Sequence, residues 1–202
     1  MLKLISTAVL CLSFFLGNAQ DTPVPAPVSG IPYYQIPDFP DTATGPNILA
    51  RTIDALGYRY YWATEGLRPE DMAYEPGNEG QHMQRLIDHL YGLSETILNT
   101  ALNQPNVRPM SEQELPWEAK RVQTLLNLKR ASDSFKALPP AQLGSRQLIF
   151  QRGDREAAFS IWTLINGPLA DAMYHTGQVV AFRRSAGNPM HPAVNVFLGR
   201  TE

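Results

Sequence analysis

The chain has 202 residues, 44% of them hydrophobic and 18% charged, with a net charge of −2 from 17 Lys and Arg against 19 Asp and Glu. Basic residues spread evenly along such a chain leave no footprint for nucleic acid, and a lone cysteine, Cys11, excludes a disulfide framework and a multi-thiolate metal centre. The length is enough for one domain with a sizeable core.

Residues 1–20 have the pattern of a cleaved secretory signal. A positive start at Lys3 precedes the apolar run Leu4 to Leu16, and Gly17-Asn18-Ala19 supplies small residues for cleavage near Ala19 or Gln20. The expectation is an exported protein, periplasmic or secreted. The run is shorter than the roughly 20 apolar residues a transmembrane helix needs, so no stable membrane insertion is expected after cleavage. Cys11 lies inside the run and would leave with it. Residues 21–46 carry seven prolines, too many for a helix or a central strand. This is an expected extended segment, free to about Gly30 and partly docked beyond it through Tyr33, Tyr34 and Phe39.

Asn47 reads as an N-cap, and Ile48, Leu49, Ile53, Leu56, Tyr60 and Tyr61 recur at helical spacing up to Gly66. Breakers from Leu67 to Gly80 mark a loop. A second helix is expected from about Glu79 to Leu102, with Met83, Leu86, Ile87, Leu90, Leu93, Ile97 and Leu98 on one stripe. A third starts at Pro116 and ends at Pro139-Pro140. The run Leu148-Ile149-Phe150 is assigned to a connector in preference to a strand. The fourth helix is expected from Asp154 to Arg184, with a kink or restart at Asn166-Gly167-Pro168. The fold class that follows is all-α, a four-helix bundle over residues 47–190 with a Pro-rich N-terminal extension and a tail at 191–202.

Chemistry concentrates on two helices. Asp171 and His175 stand four residues apart and therefore on one helix face. His89 lies beside the apolar stripe of the second helix and could add a third donor. Two imidazoles and a carboxylate suit a divalent transition metal with open positions, zinc, nickel, manganese or iron. The same residues also suit a plain ion pair between Asp171 and His175 beside a hydrogen-bonded His89. His82 and His191 are placed on the surface, Trp162, Tyr174 and Phe182 in the core, and Arg183-Arg184 against the dipole of their own helix. Gly177 is assigned a packing role, and Gln178 a hydrogen bond to a ligand or to backbone. Neither a serine-nucleophile context nor a Gly-rich phosphate loop is present, and no organic cofactor is indicated.

Asp71 to Pro76, Leu86-Ile87-Asp88-His89-Leu90, and Tyr174-His175-Thr176-Gly177-Gln178-Val179 running to Arg183 and Gly187 resemble the DinB-like four-helix superfamily over about residues 47 to 188. The resemblance implies three metal-binding histidines, one on the second helix and two spaced by four on the last. His89 and His175 match the first and third of these, while Asp171 stands where the pattern has its middle histidine. It also implies a metal-dependent enzyme, hydrolase- or transferase-like, acting on an unknown small molecule. Some relatives use low-molecular-weight thiols, which export disfavours, and dimers through helix faces make a homodimer a further expectation. The alternative is a non-catalytic exported binding protein whose metal site is degenerate.

Overall fold

The computed structural model describes residues 23–77, 82–109 and 115–202, so the expected signal peptide at 1–20 lies outside the described residues. Four long helices supply most of the core: α1 (Gly45–Thr64), α3 (Met83–Leu102), α4 (Trp117–Lys136) and α6 (Ala170–Ser185). Two short helices, α2 (Pro69–Met72) and α5 (Ile161–Leu164), complete the α-helical set among the described residues, and a 3-10 helix spans Pro140–Ser145. The long helices pack in a cycle, α1 on α4, α4 on α3, α3 on α6 and α6 on α1. Ile53, Leu56, Tyr60, Leu86, Ile87, Ile97, Leu125, Phe135 and Val179 are buried between them.

Local chemistry explains several helix ends. The Thr44 hydroxyl accepts from the Asn47 amide at 3.4 Å, so the cap falls three residues before Asn47, and Pro46 occupies the first turn, where its missing N–H costs nothing. Asn103, in the left-handed region at φ 55°, closes α3. Pro116 sits at the N-cap of α4.

The all-α expectation is wrong. Among the described residues there are two small sheets, and the fold is mixed α/β. In the larger sheet β2 (Gln147–Arg152) lies between β1 (Pro105–Val107), to which it is parallel, and β3 (Arg155–Ser160), to which it is antiparallel. The residues expected to begin the fourth helix at Asp154 are therefore a hairpin turn and a strand. The physical reason is local. Gly153 at φ 58° with Asp154 makes a two-residue hairpin turn, and the apolar Leu148-Ile149-Phe150 run, with its β-branched Ile149 and aromatic Phe150, pairs across it, Leu148 with Phe159 and Phe150 with Ala157. Asn106 ties in β1 by donating to the Ile149 carbonyl at 2.9 Å.

Helical structure resumes at α5 and passes through one wide, π-helical turn, Ile165–Leu169, before α6. Gly167 (φ −101°, ψ −105°) and Pro168 form this kink, at the place where Asn166-Gly167-Pro168 is expected to interrupt the helix.

The Pro-rich segment is seated on α1. Tyr33 adopts φ 76°, a conformation that costs a non-glycine residue about 1–3 kcal/mol. Its burial offsets that cost: the ring lies over Gly57, where a Cβ would fall 2.5 Å from ring carbons, and the hydroxyl donates to buried Asp54 at 2.9 Å. Lys136 reaches the other oxygen of Asp54 at 2.7 Å. The second sheet, β4 (Val194–Asn195) with β5 (Arg200–Thr201), closes over the same face of α1. The Gln35 amide bonds both the N–H and the carbonyl of Thr201, whose hydroxyl meets Tyr58 at 2.8 Å.

Candidate metal centre

The three residues singled out in the sequence converge in the groove between α3 and α6. His89 Nε2 lies 2.9 Å from Asp171 Oδ2, and His175 Nε2 lies 3.2 Å from Asp171 Oδ1. The two imidazole rings meet edge to face with centroids 4.8 Å apart. One ligand atom from each residue can be chosen so that all lie within 4.8 Å of one another, and the group could hold a metal ion.

Each position has a local cause. Asp171 and His175 share a face of α6 through their one-turn spacing. His89 stands at the edge of the α3 stripe, next to buried Leu90. It faces the outer groove, with 43% of its side chain exposed. Asp171 is comparably open, and His175 is sheltered at 14%.

Bonds of about 2.0–2.2 Å to nitrogen and oxygen place tetrahedral neighbours about 3.4 Å apart; the two Asp–His contacts, 2.9 and 3.2 Å, run to different carboxylate oxygens and are of hydrogen-bond length, and it is the common span of 4.8 Å that leaves scope for one ion. Imidazole and carboxylate donors together accept zinc, nickel, manganese and iron. An ion bound on this rim would keep positions open to solvent.

Behind the donors runs a polar chain that the sequence reading did not assemble. His175 Nδ1 is 2.6 Å from Gln178 Oε1, and the Gln178 amide donates to the Tyr174 hydroxyl at 3.3 Å. The i,i+3 and i,i+4 spacings of these residues carried the signal.

Other candidates go elsewhere. His82 pairs with Glu75 at 2.8 Å and is half-exposed, while His191 Nδ1 accepts from the Ala193 amide. Trp162 and Tyr174, expected in the core, are exposed, whereas Phe182 is half-buried against Tyr74. A Cβ at Gly177 would meet no described atom within 4 Å, so the expected close helix approach is not there.

Arg183 does not serve its own helix. It is buried, and its Nη1 donates to the carbonyls of Trp62, Ala63 and Glu65 at 2.9–3.1 Å, capping the C-terminus of α1. Burial lowers its pKa from the ordinary arginine value, with Asp71 and Glu65 opposing. Asn188 links it to Asp71, accepting from Arg183 and donating to Asp71 Oδ2 at 2.6 Å. Arg68 closes the cluster with a forked pair to Asp71. Although burial pushes the Asp71 carboxyl upward, the bonds from Arg68 and Asn188 outweigh it and hold its pKa below the ordinary value.

A cleft of about 630 Å³ opens on another side of α6, lined mostly by apolar groups of Ile48, Leu49, Leu143, Ile161, Trp162 and Met173. His89, Asp171 and His175 are not among its lining residues. Comparison of the chain with family models, with curated proteins and with solved structures finds no match.

Proposed function

We propose that this chain is an exported DinB-like protein that holds a divalent transition metal on His89, Asp171 and His175 and acts on a small molecule by metal-dependent hydrolysis or group transfer. The observation that carries this reading is the convergence of three donors, chosen by spacing and resemblance, from two different helices. A chance exposed ion pair needs two partners; this cluster brings a third, across 82 residues of sequence.

A bound ion supplies Lewis acidity to whatever enters its open positions. The chain's own residues define the approach. The half-exposed His89 and Asp171 leave the site reachable from solvent, and the Tyr174 hydroxyl stands near the rim as a polar contact for a substrate. His175, the most sheltered donor, anchors the floor.

The test is metal analysis of protein purified without chelator or a histidine tag, with His89→Ala and Asp171→Ala alongside. Near-stoichiometric metal that both substitutions abolish supports the reading and justifies a hydrolase screen. Absence of metal after reconstitution with zinc, nickel, manganese and iron(II) sinks it.

One observation favours the second reading, a binding protein without catalysis. The 630 Å³ apolar cleft has the volume of a small-molecule pocket and lies away from the three donors. Tight binding of an uncharged apolar probe, unchanged in His89→Ala, by protein that takes up no metal would favour it.

A further inference from the structure

Resting on the metal reading above, we propose that Gln178 is the positioning residue of the site: its carboxamide, steadied by Tyr174, keeps the proton of His175 on Nδ1, leaving Nε2 as the ligand atom that faces Asp171.

A neutral imidazole carries one proton, and the neighbours of its two nitrogens decide where. His175 touches Gln178 Oε1 through Nδ1 at 2.6 Å and Asp171 Oδ1 through Nε2 at 3.2 Å. Both partners are oxygens that accept. The shorter contact governs, because a bare Nδ1 set against a carbonyl oxygen at 2.6 Å would be two lone pairs in collision, whereas a bare Nε2 at 3.2 Å from a carboxylate leaves a gap a cation can enter. The Nδ1–H form, the less common one for free histidine, is therefore the form these neighbours select.

The amide is held in that orientation from its other end. Gln178 Nε2 donates to the Tyr174 hydroxyl at 3.3 Å, which keeps Oε1 turned to the ring. Tyr174 also packs edge-on against His175, with centroids 5.2 Å apart. Since His175 is only 14% exposed, protein groups rather than water dominate the surroundings of its ring. All three residues lie on α6 within five positions, so the orientation is set before α3 contributes His89. Partners of this kind, behind a ligating histidine, change metal affinity about 10- to 100-fold.

The experiment pairs two readouts on wild type, Gln178→Leu, Gln178→Glu and Tyr174→Phe. The first is the tautomer of His175 in the zinc-free protein, from long-range proton–nitrogen correlations of the ring at about pH 8.5, well above the ordinary imidazole value of about 6.5. The second is zinc affinity by competition with a chelating dye. Expected are Nδ1–H in wild type, its loss in Gln178→Leu with zinc binding 10- to 100-fold weaker, retention of both in Gln178→Glu, and a few-fold weakening in Tyr174→Phe. The Glu variant keeps the acceptor and guards against a misfolded Leu variant. An Nε2–H ring in wild type, or unchanged tautomer and affinity in Gln178→Leu, overturns the proposal. If wild type takes up none of zinc, nickel, manganese and iron(II), the functional reading falls alone, and the ring spectra still decide the role of Gln178.

Discussion

Two polar clusters sit on α6, and they are built oppositely. Around Arg183, every strong donor finds a fixed acceptor: the α1 carbonyls, Asn188 and, through it, Asp71, with the guanidinium and carboxylate both withdrawn from water. Around Asp171, that carboxylate and His89 stand half in solvent while His175 is sheltered, and two imidazole nitrogens face one carboxylate. A buried cluster must satisfy itself because unmade hydrogen bonds are costly there, while a solvent-facing cluster can leave valences for an ion or a ligand. Closure marks the structural cluster, and openness marks the candidate site.

Removing the centre of the closed cluster should have the largest effect. Arg183→Ala leaves three α1 carbonyls without their donor and uncouples Asn188, and a loss of about 3–5 kcal/mol is expected in urea unfolding. Next comes the open cluster with its ion. Zinc at 100 times its dissociation constant should stabilise wild type by about 2.7 kcal/mol, seen as a raised melting temperature, and His89→Ala should abolish the shift.

Acid should separate the two clusters further. Because the Asp71 pKa in the folded protein lies below its ordinary value of about 3.9, its stabilisation is fully present above that value and is lost as pH falls through the lower folded one. Urea midpoints followed from pH 6 down to about 2.5 should therefore fall less steeply in Asp71→Asn than in wild type. The smallest effect is expected for Asp171→Ala without metal, less than about 1 kcal/mol, since exposed ion pairs contribute little. A large loss there would show that the open cluster holds the fold and would erase the comparison.

The sequence disclosed α1 and α3 because their apolar positions repeat over many turns, and it disclosed Asp171 and His175 because one turn of helix separates them. The sheet was harder to see. Its central apolar run is only Leu148-Ile149-Phe150, too short for periodicity to distinguish a strand from a connector, and β1 exists only through pairing with residues about 40 positions away. The hairpin did leave a signal in Gly153-Asp154, a dipeptide suited to a tight turn. Arg183 was misassigned because sequence shows the helix a cation sits on and hides the helix it caps. Gln178 was noticed, but its partners became visible only when side-chain directions fixed which neighbours on α6 touch.

The wide turn at Ile165–Leu169 sets the rotational phase of everything after it. A π turn holds one residue more than an α turn, and each residue advances a helix by about 100°. Deleting one residue there would therefore shift the phase of α6 by about that angle. Ala172 and Thr176, now buried, would arrive in the groove where Asp171 and His175 stand, and Met173 and Gly177 would inherit their core positions. The same rotation would carry Arg183 off the α1 carbonyls, so the length of that one turn keeps the open groove and the closed cluster in register together.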